Sequence, residues 1–276
     1  MNLLTFKKNV FSQNGEDGVI DQIFELIGPG NKACCEFGAW DGIHFSNTRN
    51  LILSGWTGIM IEGDGPRFKD LVKTYGDNDN VHCINRFVDD DKNSLSAMAQ
   101  ELGLSQLLDN LDFLSIDIDG LDYEIFEGLD IFPRVICIEV NAGHSPATCE
   151  FVERDIAKNN VGQPLYYFTE VARKKGYKLL CYSGNAFYIR EDVREKYKLP
   201  EISNEEAYKE FLDSLDDKER EWLFLVNKAL VEPYHKYDNP YLSGKSLEIE
   251  SARMAKLALK SNFYKTLGSI RRGWWA

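Results

Sequence analysis

Short apolar runs alternate with amphipathic stretches through the first 190 residues, and this rhythm constrains the chain more than any other feature. Residues 32–37, 58–62, 81–87, 113–118 and 135–140 have the length and apolar density of buried strands. Val19, Ile20, Ile23, Phe24 and Ile27 share one face of a helix over 14–27, which Gly28-Pro29-Gly30 stops. Residues 46–53, 66–75, 94–108, 122–129 and 164–175 read as further helices. Pro66 at the start of one and Gly76 just past its end show the usual asymmetry of helix termini. The rhythm closes with two strands, 177–182 and 186–189, joined by Ser183-Gly184-Asn185. A link that short makes only an antiparallel hairpin. The expected fold is α/β: a doubly wound, seven-stranded, mostly parallel sheet with helices on both faces and one reversed strand near its edge.

Beyond Arg190 the strand pattern stops. Ser203 with Glu206 forms a capping-box signature, and helical spacing continues to Leu230. Residues 232–244 read as a loop and 247–259 as a last helix. The expected division is a sheet domain over 1–192 and a helical C-terminal appendage over 193–276, serving as a substrate lid or an oligomer element.

Charge narrows the partners. Lys and Arg number 32 and Asp and Glu 44, a net charge of −12. Residues 251–276 carry six cations and no acid, which leaves 26 cations against 44 acids, or −18, in the first 250 residues. Such an acidic body argues against nucleic acid as a partner, because phosphate contacts need surplus Lys and Arg. The basic tail, with Phe263, Tyr264, Trp274 and Trp275, suits either docking on the acidic body or weak peripheral contact with a membrane. No run reaches the roughly 20 apolar residues of a membrane span, and residues 1–10 lack the apolar stretch of a signal peptide. Cys34, Cys35, Cys137 and Cys181 lie in strand-like runs, and no pair has zinc-ligand spacing. Reduced thiols and a cytoplasmic location are expected.

The chemistry concentrates where strands end. The first runs into Glu36-Phe37-Gly38-Ala39-Trp40-Asp41-Gly42. A glycine-bearing turn after the first strand of an open sheet is where nucleotide-like ligands bind, because glycine lets the backbone come close. The spacing is not that of a dinucleotide fingerprint, and a carboxylate at Glu36 would repel a pyrophosphate. It suits an amino group or another cation. The second strand ends at Glu62, 26 residues later, near the roughly 20 expected of an acid that holds ribose hydroxyls. An amino group and a ribose without phosphate describe S-adenosylmethionine (SAM).

Strand–Glu36-x-Gly38, strand–Glu62, the run Asp112-Phe113-Leu114-Ser115-Ile116-Asp117-Ile118-Asp119-Gly120 and the terminal hairpin resemble class I SAM-dependent methyltransferases. The likeness covers about residues 10–190 and is nearest to the FkbM-type family. The resemblance implies methylation of hydroxyl groups on sugars, glycan precursors (as in capsule biosynthesis) or natural products. It also implies that Glu36 meets the amino group, that Gly38 and Gly42 pass under the ligand, and that Glu62 holds the ribose. Asp64 or Asn85 would lie near the adenine, and Asp41 and Asp117 would join the cofactor contacts. Two motifs depart from the family pattern. Trp40-Asp41 replaces the middle of its usual Asp-x-Gly-Ala-Asn-x-Gly loop, and Asp117-Ile118-Asp119-Gly120 replaces Asp-x-Glu-Gly.

Asp117 and Asp119 point to the same side of an extended segment. They can hold a divalent metal such as magnesium, polarise a substrate, or, with Asp122, simply cap the following helix. The same run resembles the nucleophile motif of haloacid-dehalogenase phosphatases, so a metal-dependent phosphatase is the rival enzyme; a non-catalytic SAM-fold binding module is a third reading. Beyond the fifth strand, Glu139, Asn141 and His144 are expected to face the two aspartates across a cleft. His144 is the first candidate for general base, since imidazole titrates near neutrality. His44 is the second. Gln13 and Glu16 precede the first helix, where they either cap it or reach the cofactor. Tyr234, His235, Tyr237 and Tyr241 are candidate sugar-stacking groups. The methyl acceptor is expected to be a small molecule or glycan precursor, and a homo-oligomer is compatible with the appendage.

Overall fold

The computed structural model describes residues 1–88, 94–118, 120–149, 151–153 and 162–226. The chain divides into two compact units. The first comprises Met1–Asn141 and Pro146–Ser214, and the second Ala142–Ser145 and Leu215–Ala276.

The first unit is built on one seven-stranded sheet. In chain order the strands are β1 (Ala33–Phe37), β2 (Thr57–Ile61), β3 (Val81–Ile84), β4 (Phe113–Ile116), β5 (Val135–Glu139), β6 (Tyr177–Tyr182) and β7 (Asn185–Arg190). Their order across the sheet is β3-β2-β1-β4-β5-β7-β6. All neighbours up to β5 pair in parallel, and β7 runs antiparallel to both β5 and β6. The hairpin and single reversed strand expected from the sequence are therefore present. Chain order reverses between β1 and β4, and right-handed crossovers then send the helices of the two halves to opposite faces.

Among the described residues a 3-10 helix (Leu3–Phe6) precedes ten α-helices: α1 (Glu16–Ile27), α2 (Arg49–Leu53), α3 (Gly65–Tyr75), α4 (Leu95–Leu102), α5 (Ser105–Asp109), α6 (Asp122–Gly128), α7 (Leu165–Lys174), α8 (Glu191–Tyr197), α9 (Asn204–Ser214) and α10 (Asp217–Val226). Two helical stretches are more broken than the apolar spacing implies. Residues 94–108 split at Gly103, which adopts φ +71 and ends α4 with a left-handed cap. The stretch from Ser203 splits at Leu215–Asp216. Asp216 Oδ1 accepts from the amides of Lys218 and Glu219, and Glu219 returns a carboxylate to the Asp216 amide, so a second capping box starts α10. The loop expected at 232–244 and the helix expected at 247–259 lie outside the described residues.

The core is continuous through the parallel strands. β1 and β4 are buried along their whole length, because helices cover both faces. At the reversed edge, Tyr208 and Phe211 of α9 pack on Tyr182 of β6, with ring centroids 6.0 and 5.0 Å away. All six cysteines are free thiols; Cys34, Cys35, Cys137 and Cys181 are buried and Cys149 is exposed. Among the described residues no helix is long and apolar enough to cross a membrane.

At the amino ends of the strands, buried Asp112 pairs with Arg134 at 3.0 Å. Arg134 also donates to the carbonyls of Ile27 (2.8 Å) and Gly28 (2.9 Å), which α1 leaves without helical donors. This bond set joins α1, β4 and β5 at the edge opposite the glycine turn.

Candidate functional site

The carboxyl ends of the parallel strands gather a set of buried acids. Glu36 leaves β1 almost fully buried. Its Oε2 accepts from the hydroxyls of Ser46 and Thr48, both at 2.7 Å, and its Oε1 from the Asn47 amide at 2.7 Å. Burial pushes this carboxyl up from the ordinary 4.5, against the pull of those three donors. The Asn47 side chain then donates to Ser115 of β4 at 3.0 Å. The Ser-Asn-Thr run, read from sequence as the start of a helix, thus folds back as the bed of Glu36.

Glu62 ends the neighbouring strand and is also buried. One oxygen accepts from the Trp40 amide (2.9 Å) and the other from the Asp64 amide (2.7 Å), which ties the β1 turn to the β2 turn. Asn85, expected near an adenine, donates to the carbonyls of Glu62 (2.7 Å) and Gly63 (3.3 Å). Asp64 caps α3 by accepting from the Arg67 amide at 3.0 Å.

The two turn glycines are required by close approach. A β-carbon on Gly38, at φ +72, would stand 1.9 Å from the Asp117 carbonyl oxygen. One on Gly42 would stand 2.3 Å from the Tyr75 ring, whose hydroxyl donates to the Gly42 carbonyl at 2.9 Å. The turn therefore sits directly against the end of β4 on one side and α3 on the other. Within it, Asp41 Oδ1 accepts from the amides of Ile43 and His44, both at 2.9 Å, and its Oδ2 meets His44 Nδ1 at 2.6 Å. Burial pushes the Asp41 carboxyl up, but the bonds from His44 and Ile43 outweigh it and hold it below the usual 3.8.

The segment before α1 supplies two more acids. Asp17 Oδ2 accepts from three successive amides, Val10, Phe11 and Ser12, each at 2.8 Å, while its buried Oδ1 has no hydrogen-bond partner among the described residues. Glu16 is fully buried and does not cap the helix through solvent. It accepts from the Asn14 amide (2.7 Å), from Ser183 (3.0 Å) and from Asn185 (3.3 Å) at the hairpin. Burial raises its carboxyl above 4.5. Gln13 is exposed, and its carbonyl accepts from Asn9. Sequence reasoning did not foresee Asp17, Ser183 or Asn185 as partners in this set. The only signal was the clustering of small polar residues at turns.

Asp117 is half-buried beyond β4, and Asp122 holds the turn after it by accepting from the amides of Ile118 (2.9 Å) and Gly120 (3.0 Å). Asp119, half of the expected metal pair, lies outside the described residues, and among those described no group of three His, Cys, Asp or Glu has metal-binding geometry. Glu139 is exposed at the end of β5, opposite Asn185 in register. Asn141 is half-exposed, and His144 belongs to the second unit. Tyr234, His235, Tyr237 and Tyr241 lie outside the described residues.

Among the described residues, Glu16, Asp17, Glu36 and Glu62 form no ion pair with a lysine or arginine. Their partners are amides, hydroxyls and a carboxamide. Such donors stabilise a carboxylate but leave its net charge uncancelled. The site is thus an electronegative edge at the switch point of an open sheet. No family model matches the chain, and no curated protein matches it.

Proposed function

We propose that this chain is a SAM-dependent methyltransferase, similar to the FkbM-type family, that transfers a methyl group to a hydroxyl of a sugar, glycan precursor or related small molecule. The observation that carries this reading is the group of buried carboxylates without cation partners at the carboxyl edge, beneath a glycine turn. A cationic, phosphate-free ligand meets favourable potential there, whereas a nucleotide phosphate meets repulsion. Glu62 fits the role of ribose acceptor: each of its oxygens is engaged by one amide, which leaves lone pairs for two hydroxyls. Glu36 fits less well as a direct contact, since Ser46, Asn47 and Thr48 already occupy it, and it serves the amino group through the field and through the loop it holds.

When bound, SAM supplies a methyl carbon already activated by a positive sulfur. The protein's tasks are to position the acceptor, exclude water and accept a proton. Isothermal calorimetry tests the reading. SAM and S-adenosylhomocysteine are expected to bind the full chain, and Glu62→Ala to weaken both by at least tenfold. Absence of binding to either ligand would refute the proposal.

A further inference from the structure

We propose that Asp41 and His44 form an acid–base dyad in which His44 takes the proton of the acceptor hydroxyl; this deepens the methyltransferase reading above and rests on it. The Asp41 carboxylate is fixed at both oxygens. Oδ1 holds the amides of Ile43 and His44, and Oδ2 meets His44 Nδ1 at 2.6 Å. An ionised carboxylate at that distance selects the tautomer with the proton on Nδ1, which turns a bare Nε2 outward. The His44 side chain is 65% exposed and Asp41 17%, so the orienting acid is sheltered while the ring it orients is open to a ligand.

The surroundings indicate what the ring meets. Trp40 and Phe45 flank the dyad, with the Trp40 ring 5.7 Å from His44 and 6.1 Å from Phe45. Both aromatics hold left-handed backbone, φ 45 and φ 58, where bulky residues are uncommon. Arg67 of α3 covers the Trp40 ring at 5.5 Å, Arg49 donates to the Gly42 carbonyl of the same turn at 3.2 Å, and the acids at the turn are Asp41 itself and Glu62, which accepts from the Trp40 amide. Trp40 and Phe45 place apolar surface next to the proton acceptor, which accords with the sugar acceptor proposed above. The Trp40 amide is bonded to Glu62, so the dyad is tied by one residue to the proposed ribose acid.

The step balances without further reagents. The hydroxyl oxygen forms a bond to the methyl carbon, the carbon–sulfur bond breaks with its pair going to sulfur, and the hydroxyl proton passes to Nε2. The resulting imidazolium is stabilised by Asp41 and returns the proton to water.

Nitrogen-15 NMR of the histidine rings in the full chain provides a test that needs no acceptor. The His44 signals are assigned by their loss in His44→Gln. The neutral ring is expected to carry its proton on Nδ1, and in Asp41→Asn to revert to the Nε2–H form. A wild-type His44 protonated on Nε2 overturns the dyad. With UDP-glucose and GDP-mannose as acceptor probes, whichever turns over is expected to show kcat lowered 100-fold or more in His44→Gln, with S-adenosylhomocysteine affinity within twofold of wild type. An unchanged kcat overturns the assignment. Failure of SAM binding alongside an Nδ1–H ring would refute the methyltransferase reading instead, so the two failures are distinguishable.

Discussion

The two edges of this sheet bury acids in opposite ways. At the amino edge Asp112 meets a guanidinium, which also fills the open carbonyls at the end of α1. At the carboxyl edge Glu16, Asp17, Glu36 and Glu62 meet only neutral donors. The first arrangement closes its electrostatics within the fold. The second keeps its acids in place yet leaves their charge to be felt by whatever binds. Burying carboxylates without a cation partner disfavours the folded state, chiefly through lost hydration, a cost that a bound cationic ligand would relieve.

The largest expected effect is at the closed edge. Arg134→Ala strands the Asp112 carboxylate and two helix carbonyls, and should lower unfolding free energy by about 3–5 kcal/mol in a denaturant titration. Gly38→Ala should follow, at about 2–4 kcal/mol, since its β-carbon meets a backbone carbonyl and its φ is left-handed. Gly30→Ala at the amino edge, also left-handed at φ +61, pushes a β-carbon into the Asp112–Arg134 pair and should cost about as much as Gly38→Ala. Glu36→Gln turns one accepting oxygen into a donor against a ring of donors, for a loss of about 1–3 kcal/mol.

Glu16→Gln should have the smallest effect and the most informative pH dependence. Ser183 can accept from the new amide, so the shape survives. The raised carboxyl of Glu16 means that the folded state binds more protons than the unfolded state above pH 4.5. Its contribution to stability is therefore fully present below 4.5 and lost as pH rises through the folded-state value. The melting temperature of Glu16→Gln relative to wild type should accordingly increase as pH is raised from 4 to 8. A flat difference would mean that the buried acid is not strained by its environment.

The fold was largely legible because its signals are local. Buried strands such as 33–37 and 113–116 are short apolar runs, and the hairpin follows from the length of its link alone. The breaks were legible only in hindsight. Gly103 and the Asp216–Glu219 pair carry turn and cap signals that apolar spacing overrides. Helix α8 was missed because Val193 is its one buried residue, too few for a period to appear. In the site, the acids themselves could be found, since strand ends mark them. Their donors could not. Ser46–Thr48 lie 10 to 12 residues beyond Glu36, and Ser183 lies 167 beyond Glu16, distances at which no sequence periodicity connects partners.

The cysteines give the molecule a built-in reporter of its own opening. Burial drives the thiols of Cys34, Cys35, Cys137 and Cys181 well above their ordinary range, where almost no thiolate forms, while Cys149 stands exposed. An alkylating reagent should therefore label Cys149 at once and the four strand thiols only when the sheet parts. The ratio of those rates measures how often the sheet opens.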